Sequence, residues 1–213
     1  MPPPPEKPNR HPPYPVDPFA NEVPNTGQGG AAFAGFLELF RTLQDAVTRS
    51  RPPEDNWNEA AEYLKAAIDL LQPWPVPEWH QPAGTRLDLP GRGSPLLVPF
   101  VAEAETRDSV QGQVEFRPFH IGGNNAAHGG TIALLFDEVL GRLANSRHRT
   151  VARTAYLTVN FRQVVPIDVS LRFEGSVDRQ EGRKRFVTGR LYDGETLLAD
   201  GEALFVELRP GQP

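Results

Sequence analysis

Two stretches near the start of the chain carry apolar side chains at the three-to-four-residue spacing of a helix. They occupy residues 31–50 and about 55–71, with a break at Pro52 and a stop at Pro73. The pattern predicts a helical hairpin that serves as a packing accessory, with a lid or a dimer contact as the alternative. The apolar positions are Phe33, Phe36, Leu37, Phe40, Leu43 and Val47 in the first helix and Trp57, Ala60, Leu64, Ala67, Ile68 and Leu71 in the second.

Beyond about residue 94 the apolar pattern becomes strand-like and is interrupted by a single apolar helix, predicted over residues 129–145. Turn-like segments separate the later strands. The order β-β-α-β-β-β-β predicts an α+β fold in which a long antiparallel sheet wraps around that helix. The predicted strands cover residues 96–104, 112–119, 154–161, 169–177, 185–192 and 197–208.

Composition divides the chain into four segments. Residues 1–30 are rich in Pro, Asn and Gly and are predicted to be a disordered tail, because they bury too little apolar surface to offset the entropy of ordering. Residues 31–73 form the helical hairpin extension. Residues 74–93 alternate proline with aromatic residues and are predicted to be an extended linker. Residues 94–209 form the main domain.

Charge and residue usage exclude several functions. The net charge of −5, without a basic stripe, argues against a nucleic-acid partner. The chain has no cysteine, and its five histidines are scattered, so neither a metal site nor another cofactor is expected. No apolar run approaches the ~18 residues that a membrane span needs, and no signal-like apolar segment follows the N-terminus. A cytoplasmic protein without a membrane span is the prediction.

The segment with candidate chemistry is residues 124–138, where polar residues and glycines lead directly into the apolar helix. The first amides of a helix have no partner within the helix and carry partial positive charge. A carbonyl oxygen that becomes an oxyanion is stabilised at such a position. The amide of Gly129 or Gly130 is therefore a candidate oxyanion donor, although His-Gly-Gly at the start of a helix also has a purely structural explanation.

Asp137 is an acid on an otherwise apolar helix. It is a candidate general base, and the alternative is a structural pair with Arg142 or Arg153. Its neighbour Glu138 points about 100° away around the helix. Asp137 lies eight residues after Gly129, about 12 Å along a helix, so one protomer cannot bring both groups to one carbonyl. Two antiparallel copies of the helix can do so, and the site predicts a homodimer or a tetramer.

Several motifs together resemble a known family. The run 128–133 with Asp137 is similar to hotdog-fold acyl-CoA thioesterases of the phenylacetate-pathway (PaaI-type) group. It is most similar to the thioesterase-superfamily branch that includes the carboxyl-terminal modulator protein. Further similar positions are residues 154–162, Pro166 and residues 181–187, and the resemblance spans about residues 96–208. It implies the hotdog fold and hydrolysis of an acyl-CoA without a metal or other cofactor.

The resemblance also implies roles for individual residues. Asp137 is the base or nucleophile, the Gly129 amide is the oxyanion donor, and Thr154 orients the attacking water. His128 positions the thioester or the start of the helix.

The resemblance also implies that six residues contact the substrate, and Asn124 is an alternative to Asn125 in this set. After Asn160 and Arg162 the family often has Arg-Pro, where this chain has Gln163 and Val164. The exact set of CoA phosphate contacts therefore stays open. The substrate-binding candidates are Asn125, Gly130, Asn160, Arg162, Lys184 and Arg185.

Two other functions remain open at this point. The same pocket suits a non-catalytic acyl-CoA-binding protein whose N-terminal helices contact a partner. A hotdog hydratase acting on enoyl-CoA is a third possibility, but such enzymes use a different pair of acid and base. The length and the aromatic or aliphatic nature of the acyl group stay undetermined.

Overall fold

The computed structural model describes residues 28–146 and 149–209. The predicted tail therefore lies almost wholly outside the described residues. Within the described residues there are three α-helices, α1 (Gly30–Arg49), α2 (Glu54–Leu71) and α3 (Gly129–Ala144). The strands are β1 (Phe100–Glu105), β2 (Ser109–Glu115), β3 (Ile121–Gly123), β4 (Ala126–Ala127), β5 (Ala152–Phe161), β6 (Ser170–Glu181), β7 (Lys184–Asp193) and β8 (Thr196–Glu207).

Six of the strands form one antiparallel sheet in the order β1-β2-β6-β7-β8-β5, and it packs against α3. The predicted element order agrees with this arrangement. The first strand begins at Phe100, four residues later than predicted, because Leu97 and Val98 are buried in the core without joining the sheet. The small ribbon β3–β4 was not predicted, and it leads directly into α3.

A row of three glycines allows α3 to lie close to the sheet. Gly175, Gly189 and Gly201 are register partners on β6, β7 and β8. A Cβ added at Gly189 would lie 3.0 Å from Leu140 Cδ2 and 3.1 Å from Phe136 Cδ1. These two α3 side chains therefore occupy the space that a larger residue would need.

We expect Gly189→Ala to lower the free energy of unfolding by about 1–3 kcal/mol, because it overpacks a filled core. Gly35→Ala on α1 is the matched control. No heavy atom within 4 Å would meet its added Cβ, and alanine is the better helix former, so its stability should be unchanged or rise by up to about 1 kcal/mol. Urea unfolding of both variants measures the difference, and equal stabilities would contradict the close packing of α3.

Polar groups buried at the C-terminal end of α3 satisfy its last carbonyls. Asn145 Nδ2 donates to Gly141 O at 2.8 Å. Arg149 donates to Leu143 O at 3.3 Å, and Arg185 donates to Ala144 O at 2.7 Å. Cations are favourable here because the carbonyls at a helix C-terminus carry partial negative charge.

The two N-terminal helices differ in how they pack. Helix α1 buries Leu37 and Arg41 and packs against the 3-10 turn Pro118–His120. Helix α2 buries none of its residues, and Trp57 and Ile68 of its apolar stripe are exposed. Both helices thus form where predicted. Within the described part of the chain, however, the apolar stripe of α2 is not buried, as it would be in the predicted hairpin.

The second part of the predicted linker, residues 84–93, is folded against the rest of the chain, whereas residues 74–78 are exposed. Arg86 is buried, and its guanidinium donates to Gln28 O and Gly30 O, at 2.9 Å each, and to Asp88. The buried Arg41 of α1 donates to carbonyls at the end of the same segment. Arginine side chains therefore replace the apolar contacts that this proline-rich sequence lacks.

Candidate active site

The ribbon β3–β4 brings the chain to the start of α3 through a two-residue turn. Asn124 and Asn125 occupy that turn in the left-handed region, with φ of 51° and 57°. Asparagine tolerates this conformation better than most residues, which gives a local reason for both side chains. The Asn125 side chain is exposed and Asn125 O accepts from Ile167 N at 3.2 Å. A substrate contact by Asn125 stays a prediction.

His128 caps α3 and selects which of its first amides stays available. The His128 Nδ1 accepts from Gly130 N at 2.9 Å. The Gly129 amide, by contrast, has no acceptor among the described residues. The geometry therefore favours Gly129 as the oxyanion donor, because the Gly130 amide already donates to the capping His128.

Phe161, at the end of β5, lies against the first turn of α3. A Cβ added at Gly129 would lie 3.2 Å from Phe161 Cζ. The ring is nevertheless 56% exposed. Because position 129 is glycine, the first amide of α3 can lie next to the Phe161 ring without a steric clash. The sequence pattern did not predict this contact.

The structure brings Asp137 and Thr154 together. Thr154 Oγ1 on β5 donates to Asp137 Oδ1 on α3 at 2.9 Å. Both residues are exposed. A carboxylate that accepts a single hydroxyl hydrogen bond keeps lone pairs for a further proton donor, so Asp137 is free to accept a proton from water.

The alternative residues on α3 have other partners. Glu138 forms an ion pair with Arg92, and its side chain is only 9% exposed. Arg142 donates to Glu105 at 3.0 Å. Glu138 is therefore directed away from Thr154, and Arg142 is committed to β1 rather than to Asp137.

Asn160 and Arg162, at the other end of β5, share one acid that the sequence pattern did not single out. Asn160 Nδ2 donates to Asp200 Oδ1 at 2.8 Å, and Arg162 pairs with the same carboxyl group. The hydrogen bond from Arg162 holds the pKa of Asp200 below its usual range, and Asn160 adds to the effect. Asp200 thus fixes the two side chains beside each other on the exposed end of the strand.

The predicted phosphate contact by Arg185 is contradicted by its burial. Its side chain is 1% exposed, pairs with Glu207, and donates to Ala144 O and Thr150 O. A guanidinium enclosed in this way cannot reach a bound phosphate. Lys184 is exposed, but the β7–β8 register places it opposite Val206.

The register also separates Lys184 from the Arg162 end of the sheet. Asn160 is opposite Asp200 on β8, whereas Lys184 is opposite Val206. Six residues of strand correspond to about 20 Å. One protomer therefore does not bring Lys184 and Arg162 to the same phosphate.

Residues 28–146 and 149–209 hold no cluster of three or more His, Cys, Asp or Glu side chains suited to a metal ion. None of the helices in this part of the chain is long and apolar enough to cross a membrane. The cytoplasmic location stays a prediction.

Similarity to known proteins supports the sequence resemblance. Residues 124–199 match the family model described as Thioesterase superfamily. The acyl-coenzyme A thioesterase THEM4 of Mus musculus is 35% identical over 88 residues, which cover 40% of this chain and 37% of the mouse protein. That of Bos taurus is 32% identical over 95 residues, covering 44% and 38%. The chain thus spans less than two fifths of the length of each of these relatives.

A crystal structure of a thioesterase superfamily protein has the same fold, with a TM-score of 0.72 and 26% identity. The match covers 84% of this chain and 92% of that protein. Residues 94–209 make up little more than half of the chain, so the likeness extends into the N-terminal region, beyond the segment that carried the sequence resemblance. The chain therefore has the α+β hotdog fold with helices ahead of the sheet, and its residues 124–199 match the thioesterase superfamily.

Proposed function

We propose that this protein is a thioester hydrolase that converts an acyl-CoA to the free acid and CoA. The observation that carries the proposal is the 2.9 Å hydrogen bond from Thr154 to Asp137, on a helix whose Gly129 amide is left open. The thioesterase names of the relatives support the same reaction. The sheet and α3 hold all three groups on regular elements rather than on loops, which suits a site that must keep its geometry.

In this mechanism Asp137 takes a proton from a water molecule, and the resulting hydroxide adds to the thioester carbonyl carbon. The Gly129 amide stabilises the oxyanion that forms on the carbonyl oxygen. When the C–S bond breaks, CoA leaves as the thiolate and takes up the proton that Asp137 removed from the water, which regenerates the carboxylate. The Thr154 hydroxyl donates a hydrogen bond to Asp137. The Thr154 oxygen is therefore available to accept a hydrogen bond from the water molecule and to orient it. Direct attack by Asp137, giving an anhydride that water then hydrolyses, is the alternative.

We further propose that each site is shared between two protomers. Asp137 and Gly129 are about 12 Å apart along α3, whereas both must lie within ~3 Å of one reacting group. The strand β5, which carries Thr154, is an edge of the sheet and exposes Tyr156 and Phe161. A second copy packed antiparallel along β5 and α3 would place Gly129 and Phe161 of one protomer beside Asp137 and Thr154 of the other.

The direct test of the reaction is release of free CoA thiol from a panel of acyl-CoA substrates with straight-chain, branched and aromatic acyl groups. We expect turnover with at least one class. Among the remaining candidates, Asn125, Asn160, Arg162 and Lys184 are proposed to contact the CoA portion. Stoichiometric binding of acyl-CoA without thiol release would instead support the non-catalytic binding protein.

A mixture of two inactive variants tests the shared site. Gly129→Pro removes the oxyanion donor, and proline is tolerated at the first position of a helix. Asp137→Asn removes the base. A heterodimer of the two has one intact site and one doubly mutated site, so unfolding and refolding an equal mixture should restore about a quarter of wild-type activity if the protomers assort at random.

Gly129→Ala is the steric control, because it adds a Cβ near Phe161 but keeps the amide. It should retain clearly more activity than Gly129→Pro. Complementation that fails, although native mass spectrometry shows heterodimers, would contradict the two-protomer site. Light scattering that shows an active monomer would contradict it as well.

A further inference from the structure

Two acids of helix α1, Glu38 and Asp45, pair with Arg117 just before the turn that precedes the candidate site, and Asp45 also binds the backbone of the turn. Asp45 Oδ2 accepts from Arg117 Nε at 2.8 Å, and Asp45 Oδ1 accepts from Phe119 N at 3.3 Å. The Asp45 and Arg117 side chains are only 18% and 17% exposed. A largely buried charge pair with several hydrogen bonds has a well-defined geometry. The position of the 3-10 turn Pro118–His120 therefore depends on α1.

The same turn holds the backbone at the start of α3. Arg117 N donates to His120 Nδ1 at 2.9 Å, and His128 N donates to His120 O at 2.8 Å. Burial lowers the pKa of His120 to about 4, so the imidazole is neutral near pH 7 and its Nδ1 can accept. Strand β3 packs against the same point, since a Cβ at Gly122 would lie 2.8 Å from His128 Cα.

His128 in turn sets the first amides of α3. Its Nδ1 accepts from Gly130 N, and this leaves the Gly129 amide open. An oxyanion donor works only within a few tenths of an ångström of its productive position. A shift of His128 would therefore change which amide is available and where it points.

Other contacts hold this region in place without α1. Ala127 N donates to Val165 O at 2.8 Å, and Ile167 N donates to Asn125 O at 3.2 Å. Loss of the α1 contact should therefore displace the start of α3 without unfolding it. This separates a positioning role from a role in folding alone.

We propose that Asp45 is a positioning residue and that α1 is part of the catalytic apparatus: through Arg117 and His120 it holds His128 so that the Gly129 amide faces the reacting carbonyl. The inference rests on the proposed thioesterase function. It assigns the N-terminal extension a role in the rate of the reaction. Because the donor acts on the oxyanion, which forms only as the reaction proceeds, its displacement lowers kcat more than it changes KM.

The test compares Asp45→Asn with Asp108→Asn. Asp108 pairs with the buried Arg149 beyond the opposite end of α3, so the control also removes a carboxylate from an arginine. We expect Asp45→Asn to lower kcat on the order of 10-fold, since about 1 Å of misplacement costs up to 10², with KM within about twofold. Asp108→Asn should keep near-wild-type kcat, even if its melting temperature falls as much.

A second measurement does not depend on activity. Hydrogen exchange at the Gly130 amide, which is bonded to His128 Nδ1, reports whether His128 still caps α3. We expect faster Gly130 exchange in Asp45→Asn and wild-type exchange in Asp108→Asn. If Asp45→Asn is too unstable, Asp45→Glu, which keeps the charge but moves the carboxylate away from Phe119 N, should change both readouts in the same direction.

The outcomes separate this inference from the proposed function. Wild-type kcat and wild-type Gly130 exchange in the Asp45 variants, with only a lower melting temperature, would overturn the positioning role and leave the proposed function standing. A wild-type protein that releases no thiol would overturn the proposed function. The Gly130 exchange would then still decide whether α1 positions the start of α3.

Discussion

Asp137→Asn should lower kcat by about 10²–10⁴, the range expected for the loss of a general base. The amide keeps the shape of the carboxyl group and can still accept from Thr154 through its carbonyl oxygen. It cannot accept a proton from water. The fold should therefore persist while the chemical step slows, and steady-state thiol release beside a thermal melt measures both.

The chain offers a matched control for this substitution. Thr188 Oγ1 donates to Asp178 Oδ1 at 2.9 Å, the same hydrogen bond at the same length, but between β7 and β6. Asp178→Asn should change stability as Asp137→Asn does and leave kcat unchanged. Glu138→Gln is a less suitable control for stability, because it disturbs the pair with Arg92. Near-wild-type kcat for Asp137→Asn would remove the base assignment and favour a binding protein.

Arg185→Met should lower the free energy of unfolding by about 3–5 kcal/mol, the cost of breaking a buried ion pair by removing one partner. The substitution leaves the Glu207 carboxylate without its guanidinium and two carbonyl oxygens, of Ala144 and Thr150, without their donor. Urea unfolding measures this loss. At a temperature where the variant is folded, its KM for acyl-CoA should match the wild type.

Lys184→Met is the adjacent control and separates the two roles. Lys184 is exposed, so its loss should change stability by no more than about 0.5 kcal/mol. If Lys184 contacts a CoA phosphate, the KM of the Lys184→Met variant for acyl-CoA should be higher than that of the wild type. The difference should become smaller at high salt. A stable Arg185→Met variant with a raised KM would contradict the burial of Arg185 and restore it as a phosphate contact.

The regular elements of this chain could be predicted because their apolar residues follow a simple period. Helix α3 and the strands after it repeat apolar side chains on one face, and the observed bounds lie within a few residues of those predicted. The Arg185 burial also had a sequence signal. Arg185 falls in phase with Val187 and Leu191, which face the core two and six residues later. The alternation of strand β7 thus predicts that Arg185 faces the core, whereas its charge alone had suggested an exposed position.

The rest depended on contacts that no local pattern encodes. Arg86 and Arg92 bind backbone carbonyls and acids in a segment without periodicity, so residues 74–93 resembled an extended linker. The pairing of Thr154 with Asp137 requires β5 to lie beside α3. The family resemblance supplied that pairing, and spacing alone did not. Asp200 gave no signal, because its two partners are forty and thirty-eight residues away in the sequence.

The edge strand β5 has a consequence for the unpaired protomer of the proposed dimer. It is a ten-residue edge with an exposed Tyr156 and Phe161, and one side of its backbone is unpaired in the sheet. Such an edge is a template for any other extended chain and promotes aggregation. In the proposed dimer a second copy covers β5, and a protomer that has not yet paired is exposed to mispairing. Substitutions that weaken self-association would then reduce the soluble yield in expression rather than produce a well-behaved monomer.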